Sequence, residues 1–292
     1  MVSKAIAYGN LLRDYLILTK PGIVLLVLIT TLTGMYFAQR GFPQPWLVFW
    51  TLLGTGLASA GSAVLNQYFD RDVDTLMDRT RDRPIPSGSV NPQSAFIFGS
   101  TLLLISLLIL LLKVNLLATF FVLLASFFYV GIYTLALKRK SPLATEIGGV
   151  SGSLPPVIGY AAVKGEVGFE ALILFLIMFF WQPPHFWVLA IKYAEDYKRA
   201  GIPTLPVAKG IEHTKIKTLI YTAGLLPLSL LPSIYGLAGF IYFLSALVLS
   251  FLYLLLTLRF VLSKKPNGTL LFFYSVLYIA LLFSIMVFDM RR

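Results

Sequence analysis

The sequence predicts an all-α polytopic membrane protein, a bundle of about nine transmembrane helices, and three observations carry that expectation. Hydrophobic residues fill 58% of the 292 positions and charged residues only 13%, with a mean hydropathy of +0.82, which leaves too little polar surface to cover a globule in water. The apolar residues form runs long enough to cross a hydrocarbon layer. Lys and Arg gather in alternate connections between those runs, 19 on one side against five on the other when the N-terminus is placed in the cytoplasm.

In chain order the runs cover about 22–38, 46–69, 95–113, 115–137, 146–163, 169–191, 217–237, 238–262 and 268–289. Residues 1–20 or so precede them as a cytoplasmic segment; Arg13, Asp14 and Lys20 interrupt it and no small-residue cleavage site follows an apolar core, so no cleaved signal peptide is expected. The seventh and eighth runs meet around Pro232, Tyr235 and Gly236 with almost no polar loop, which makes eight the competing count. Pro183 and Pro184, inside the sixth run, are expected to kink or break it. Cysteine is absent, so disulfides, thiolate ligands and a cysteine nucleophile are excluded. The net charge of +11 follows mostly from the one-sided Lys and Arg distribution and requires no nucleic acid partner.

One stretch breaks the apolar pattern. Residues 66–83, NQYFDRDVDTLMDRTRDR, hold five of the 13 acidic residues and four arginines directly after the second run. If the second helix continues past Leu65, Asn66, Asp70 and Asp74 recur every four residues and share one face, while Asp72 points away. Oxygen ligands one turn apart suit a hard cation such as Mg²⁺, held together with water and phosphate oxygens. Arg79 and Arg83 then serve the phosphates, because guanidinium recognises them through paired hydrogen bonds. A solvated loop of paired Asp and Arg is the plain alternative, but a polar group begun inside an apolar run is costly without a use. A magnesium and diphosphate site is the favoured reading.

Two further stretches carry candidates. In FFWQPPHFWVLAIKYAED, Gln182, His185, Lys192 and Asp196 fall on one helical stripe leading to the cytoplasmic side, and Glu195 is spaced to pair with Arg199. In YVGIYTLALKRKSPLATEIGGVSGSLPPVIGY, Lys138, Arg139 and Lys140 read first as juxtamembrane basic residues that carry topology and meet lipid headgroups, with closure over an anion as the alternative. Tyr129 and Tyr133 stand one turn apart, and Gly148, Gly149 and Gly152 permit close helix approach. His213 lies in a polar connection and is expected to be solvated.

Taken together, Asn66-x-x-x-Asp70-x-x-x-Asp74 followed by MDRTRDRPIPSG, the Lys20-Pro21 pair and YTLALKRKSPLATEIGG resemble the UbiA-type intramembrane prenyltransferase superfamily. Within it, DYLILTKPG, WQPPHFW and DYKRAGIPTLPV resemble the haem O synthases, or protohaem IX farnesyltransferases, over about residues 14–289. The resemblance implies a single prenyltransferase domain over 1–292, with a central cavity opening to the cytoplasmic side and sideways to lipid. It implies transfer of farnesyl from farnesyl diphosphate to a vinyl group of haem B, with Mg²⁺ as cofactor and haem as substrate. Asn66, Asp70 and Asp74, with Asp196, would hold metal; Lys20, Arg79, Arg83, Lys138, Arg139 and Lys192 would support diphosphate; His185 and Gln182 would contact haem. With no targeting extension read, a prokaryotic plasma membrane is the expected setting, the Lys and Arg distribution puts the N-terminus in the cytoplasm, and the resemblance implies a downstream haem A synthase as protein partner. One departure stands out: where many superfamily members carry a second D-x-x-x-D, this chain has Tyr193 and Tyr197, with carboxylates only at Glu195 and Asp196. Two alternatives stay open here, a UbiA-type enzyme for another aromatic acceptor and, from a different class, a transporter or haem-handling membrane protein.

Overall fold

The computed structural model describes residues 11–263 and 267–290, and every regular element among them is a helix. After a helical stretch at 11–18 come α1 (Pro21–Gln39), α2 (Pro45–Asp74), α3 (Pro92–Lys113) and α4 (Leu116–Leu137). Two short helices follow, α5 (Ala144–Ser153) and α6 (Pro155–Lys164), then α7 (Phe169–Lys192). The chain ends with the short α8 (Ala194–Arg199) and α9 (Leu205–Lys209) and the long α10 (Ile211–Ile234), α11 (Phe240–Leu262) and α12 (Thr269–Phe288).

Among the described residues eight helices are long and apolar enough to cross a membrane, so the chain is a multi-pass membrane protein. The fifth expected run is not one helix. Pro155 and Pro156 open α6 and bring no N–H to bond back to α5, so the chain breaks at Leu154. The count of eight therefore arises here and not at the seventh and eighth runs, which stay separate as α10 and α11. Between those two, Gly236 turns at φ +70, and Asp289 closes the start of α11 by accepting from Gly239 N at 2.7 Å and, through Oδ2, from Tyr242 N at 2.7 Å. The sixth run departs from expectation the other way: α7 continues through Pro183 and Pro184. Flanking packing holds it, with Trp181 and Trp187 buried and Trp181 Nε1 donating to Ser275 O of α12 at 2.7 Å.

The largest core lies among α7, α11 and α12, around Trp181, Tyr242, Tyr253, Tyr278 and Phe283. Outward faces carry Leu104, Leu112, Phe251, Phe273 and Phe288, exposed apolar side chains that a lipid environment covers. α1 and α6 touch backbone to backbone: a side chain at Gly34 or Gly159 would collide with main-chain atoms of Pro156 or Thr31. Beside that contact lies a cavity of about 220 Å³ lined by α1, α2 and α4–α7, with Tyr129 and Gln182 among its lining.

Candidate active site

α2 is 30 residues long, roughly 45 Å by helical rise, so its final turns outrun the hydrocarbon thickness while staying packed against neighbours. Asn66, Asp70 and Asp74 fall on its inner face as the spacing requires; Asp70 and Asp74 are both 0% exposed. Asp72 points outward. Two buried carboxylates on adjacent turns are tolerable only if cations compensate them.

The cations come from three other segments. Lys138, just past α4, pairs with Asp70 Oδ2 at 2.5 Å, and Arg83, in the connection after α2, pairs with Asp74 Oδ2 at 2.7 Å. Lys20 donates to Asn66 Oδ1 at 3.0 Å and to the Tyr129 hydroxyl at 3.4 Å. Its backbone is left-handed at φ 51, an uncommon conformation for a side-chain-bearing residue and an adverse one before proline. Burial, with the Arg83 and Lys138 charges beside it, holds the Lys20 ammonium down to about 7. Asn66 Nδ2 completes the row by donating to Asp70 Oδ2 at 2.8 Å and Thr134 Oγ1 at 3.0 Å.

In each carboxylate one oxygen is engaged and the other is not. Asp70 Oδ1 and Asp74 Oδ1 are buried without a hydrogen-bond partner. Unpaired buried carboxylate oxygens on one helix face, beside the Asn66 amide, are a donor set that fits Mg²⁺. Among the described residues no group of three His, Asp or Glu converges, so such an ion would need phosphate or water oxygens to complete its shell.

α4 supplies the facing wall. From Phe127 to Leu137 it winds as a π-helix, which brings Tyr129, Thr134 and Lys138 toward the same region. The Tyr129 and Tyr133 rings stack with centroids 5.9 Å apart. A side chain added at Gly148 of α5 would lie 2.6 Å from the Tyr133 ring, so the missing Cβ makes room for that ring.

The stripe expected from Gln182 to Asp196 does not form. α7 ends at Lys192, and Tyr193 leaves helical geometry at φ −108, ψ 25, so the helical wheel cannot be carried across to Asp196. Gln182 turns to α5, donating to Gly149 O and Ser153 Oγ, each at 3.0 Å. His185 turns to α12 instead, stacked between Trp181 and Phe272 with Nδ1 2.6 Å from Ser275 Oγ. Lys192 is exposed over the Tyr193 ring. Asp196 is held by Arg199 at 2.5 Å, which also pairs with Asp78 at 2.6 Å, so Arg199 is not spent on Glu195 as the spacing suggested. Arg139 is likewise drawn outward, to both oxygens of Asp72 at 2.7 Å and to Phe69 O. Neither Arg139, Lys192 nor Asp196 joins Asp70 and Asp74.

Arg79 instead meets Tyr193 and Tyr197, the two residues that stand in place of the second acidic motif. Its Nη2 donates to the Tyr197 hydroxyl at 3.3 Å, and its guanidinium lies 5.3 and 5.9 Å from the ring centroids of Tyr193 and Tyr197. Burial pushes the Tyr197 phenol above its ordinary range, opposed by Arg79 and Arg83. Tyr197, Tyr133 and Lys138 line one small cavity, which ties this wall to the carboxylates. Thr134, which accepts from Asn66, carries no signal in the sequence beyond its neighbourhood to Tyr133.

With this geometry the likeness to known proteins has a structural footing. Residues 27–285 match the UbiA prenyltransferase family. The chain belongs to that family. A protoheme IX farnesyltransferase from Aquifex aeolicus (strain VF5) is 61% identical over 292 residues, covering 100% of both chains. One from Roseiflexus sp. (strain RS-1) is 45% identical over 96% of this chain, which spans 53% of that longer relative. Solved structures agree on the UbiA fold: one described for digeranylgeranylglyceryl phosphate synthase superposes with a TM-score of 0.78 at 20% identity, covering 96% of this chain and 98% of that one. A UbiA homolog from Archaeoglobus fulgidus, bound to DMAPP and Mg²⁺, gives a TM-score of 0.68 at 19% identity, covering 94% and 99%.

Proposed function

We propose that this protein transfers the farnesyl group of farnesyl diphosphate to a vinyl group of haem B, with diphosphate leaving and water supplying the hydroxyl on the adjoining carbon as it loses a proton, giving haem O, in a plasma membrane with its N-terminus in the cytoplasm. The observation that carries the reading is the pair of buried carboxylates, Asp70 and Asp74, each with one oxygen held by a cation and one left open, beside an apolar cavity. The full-length 61% identity to a protoheme IX farnesyltransferase supports the choice of substrates. The 19-to-five division of Lys and Arg supports the orientation.

Asp70 and Asp74, with Asn66, would hold Mg²⁺, which when bound supplies positive charge against the diphosphate. The rest is work for the chain's own residues. Lys138 and Arg83 already point their charges at this face, and turning them from carboxylate to phosphate oxygens stabilises the departing group, with the Lys20 amine beside Asn66 free to swing to the same oxygens. The farnesyl tail would enter the largely apolar cavity behind Tyr129, which keeps water away from the allylic carbon. The stacked Tyr129 and Tyr133 rings offer their faces to the cation that forms there. Ser275 donates its hydroxyl proton to Phe272 O, so its oxygen accepts from His185 Nδ1 and the Nε2 lone pair is left for haem iron. Gln182, one turn before His185 on α7 and lining the cavity, would meet the same acceptor there. A downstream haem A synthase is the proposed recipient of the product.

The test is incubation of the purified protein in lipid with haem B, farnesyl diphosphate and Mg²⁺, followed by pigment extraction and mass analysis beside Asp70→Asn. Hydroxyethylfarnesyl haem from the wild type alone is the expected result. Prenylation of a small aromatic acceptor in place of haem would overturn the acceptor assignment, and no transfer by folded protein would overturn the enzyme reading.

A further inference from the structure

The segment after α7 is where a second set of metal-binding carboxylates would stand, and its side chains do something else. Tyr193 and Tyr197 lie one turn apart, joined by Tyr197 N to Tyr193 O at 3.1 Å, and both turn toward Arg79. The carboxylates between them turn out: Asp196 to Arg199 at 2.5 Å, Glu195 to solvent. Tyr197 is only 6% exposed, so the guanidinium it holds is fixed by a buried partner.

We propose that Arg79, clasped by Tyr193 and Tyr197, takes the place of a second divalent cation, and that this site binds one metal ion with each prenyl diphosphate. The proposal rests on the diphosphate reading above. Its physical basis is charge and ligand supply. Asp70 and Asp74 offer the two open carboxylate oxygens of the site, enough for one ion completed by phosphate and water. A second ion on the opposite side would meet a fixed cation and two phenols instead of carboxylates. Aromatic faces and a phenol oxygen suit a guanidinium and are poor ligands for Mg²⁺. Arg79 is also permanently charged, so it presents that charge without waiting for an ion to bind.

The experiment counts metal directly. Full-length protein in lipid nanodiscs is saturated with farnesyl thiodiphosphate, a slow-reacting analogue, and titrated with Mn²⁺ while electron paramagnetic resonance reads free and bound ion. One Mn²⁺ per bound analogue is expected, without the dipolar broadening of a close ion pair; two would overturn the proposal while leaving the diphosphate site standing. Analogue-dependent binding of no Mn²⁺ at all would overturn both. Arg79→Ala should weaken analogue binding roughly 10- to 100-fold, the range for one charged hydrogen-bonding partner, with Arg79→Lys intermediate. Unchanged affinity in a folded Arg79→Ala protein would remove Arg79 from the site. A triple variant, Arg79→Gln with Tyr193→Asp and Tyr197→Asp, should raise the count to two; a folded variant that stays at one would overturn the exchange of cation for metal.

Discussion

Two helices leave the apolar bundle by way of acidic and basic residues, α2 through Asp70, Asp72 and Asp74 and α7 through Lys192, Glu195 and Asp196, yet only the first builds a site. The residue types are alike; what differs is the helix beneath them. α2 stays regular to Asp74 and stays covered, so its four-residue spacing becomes a row of 0% exposed carboxylates. α7 stops at Lys192, and the residues after it are oriented by a new turn and by Arg199 and Arg79. Charge near a membrane edge becomes chemistry where a continuous helix carries it under cover.

That contrast can be broken most sharply at its two ends. Asp70→Asn or Asp74→Asn should lower haem O formation by roughly 10²- to 10³-fold, the scale for losing an electrostatic contact to the reacting centre, while Asp196→Asn stays within about twofold. Steady-state rates from extracted pigments compare them. Among cations the same asymmetry is expected. Lys138→Ala or Arg83→Ala should cost roughly 10- to 100-fold in kcat/KM for farnesyl diphosphate, and Lys192→Ala little, because Lys192 is exposed over Tyr193. Chelation sharpens the metal side: EDTA should stop turnover by the wild type, and added Mg²⁺ should restore it. A smaller effect tests the fit of the walls. Gly148→Ala presses on the Tyr133 ring and should destabilise by about 1–3 kcal/mol, read as a lower Tm in detergent, with reduced activity. Smallest of all, Arg139→Ala breaks an exposed pair with Asp72 and should cost less than about 1 kcal/mol.

Hydropathy made the long helices legible because each crosses a layer whose thickness sets its length. It could not tell that Pro155 ends a helix while Pro183 and Pro184 do not, since that depends on what packs around them. Asn66, Asp70 and Asp74 were legible because spacing within one helix fixes a shared face. The partners of Arg139, Gln182 and His185 were not, because α5 and α12 approach α7 from different sides and Asp72 competes for Arg139. Tyr193 and Tyr197 looked like absences in the sequence, and their role appears only once Arg79 is seen between them.

The slow winding of α4 makes this site depend on counting as well as on chemistry. Tyr129, Thr134 and Lys138 stand five and four residues apart, and ordinary α winding would leave Lys138 about half a turn away from Tyr129. Loss of a single residue between Phe127 and Leu137 would swing everything after it by roughly 100° and take the Lys138 ammonium off Asp70. A substitution on this wall removes one contact, but a change in its length displaces every contact beyond it.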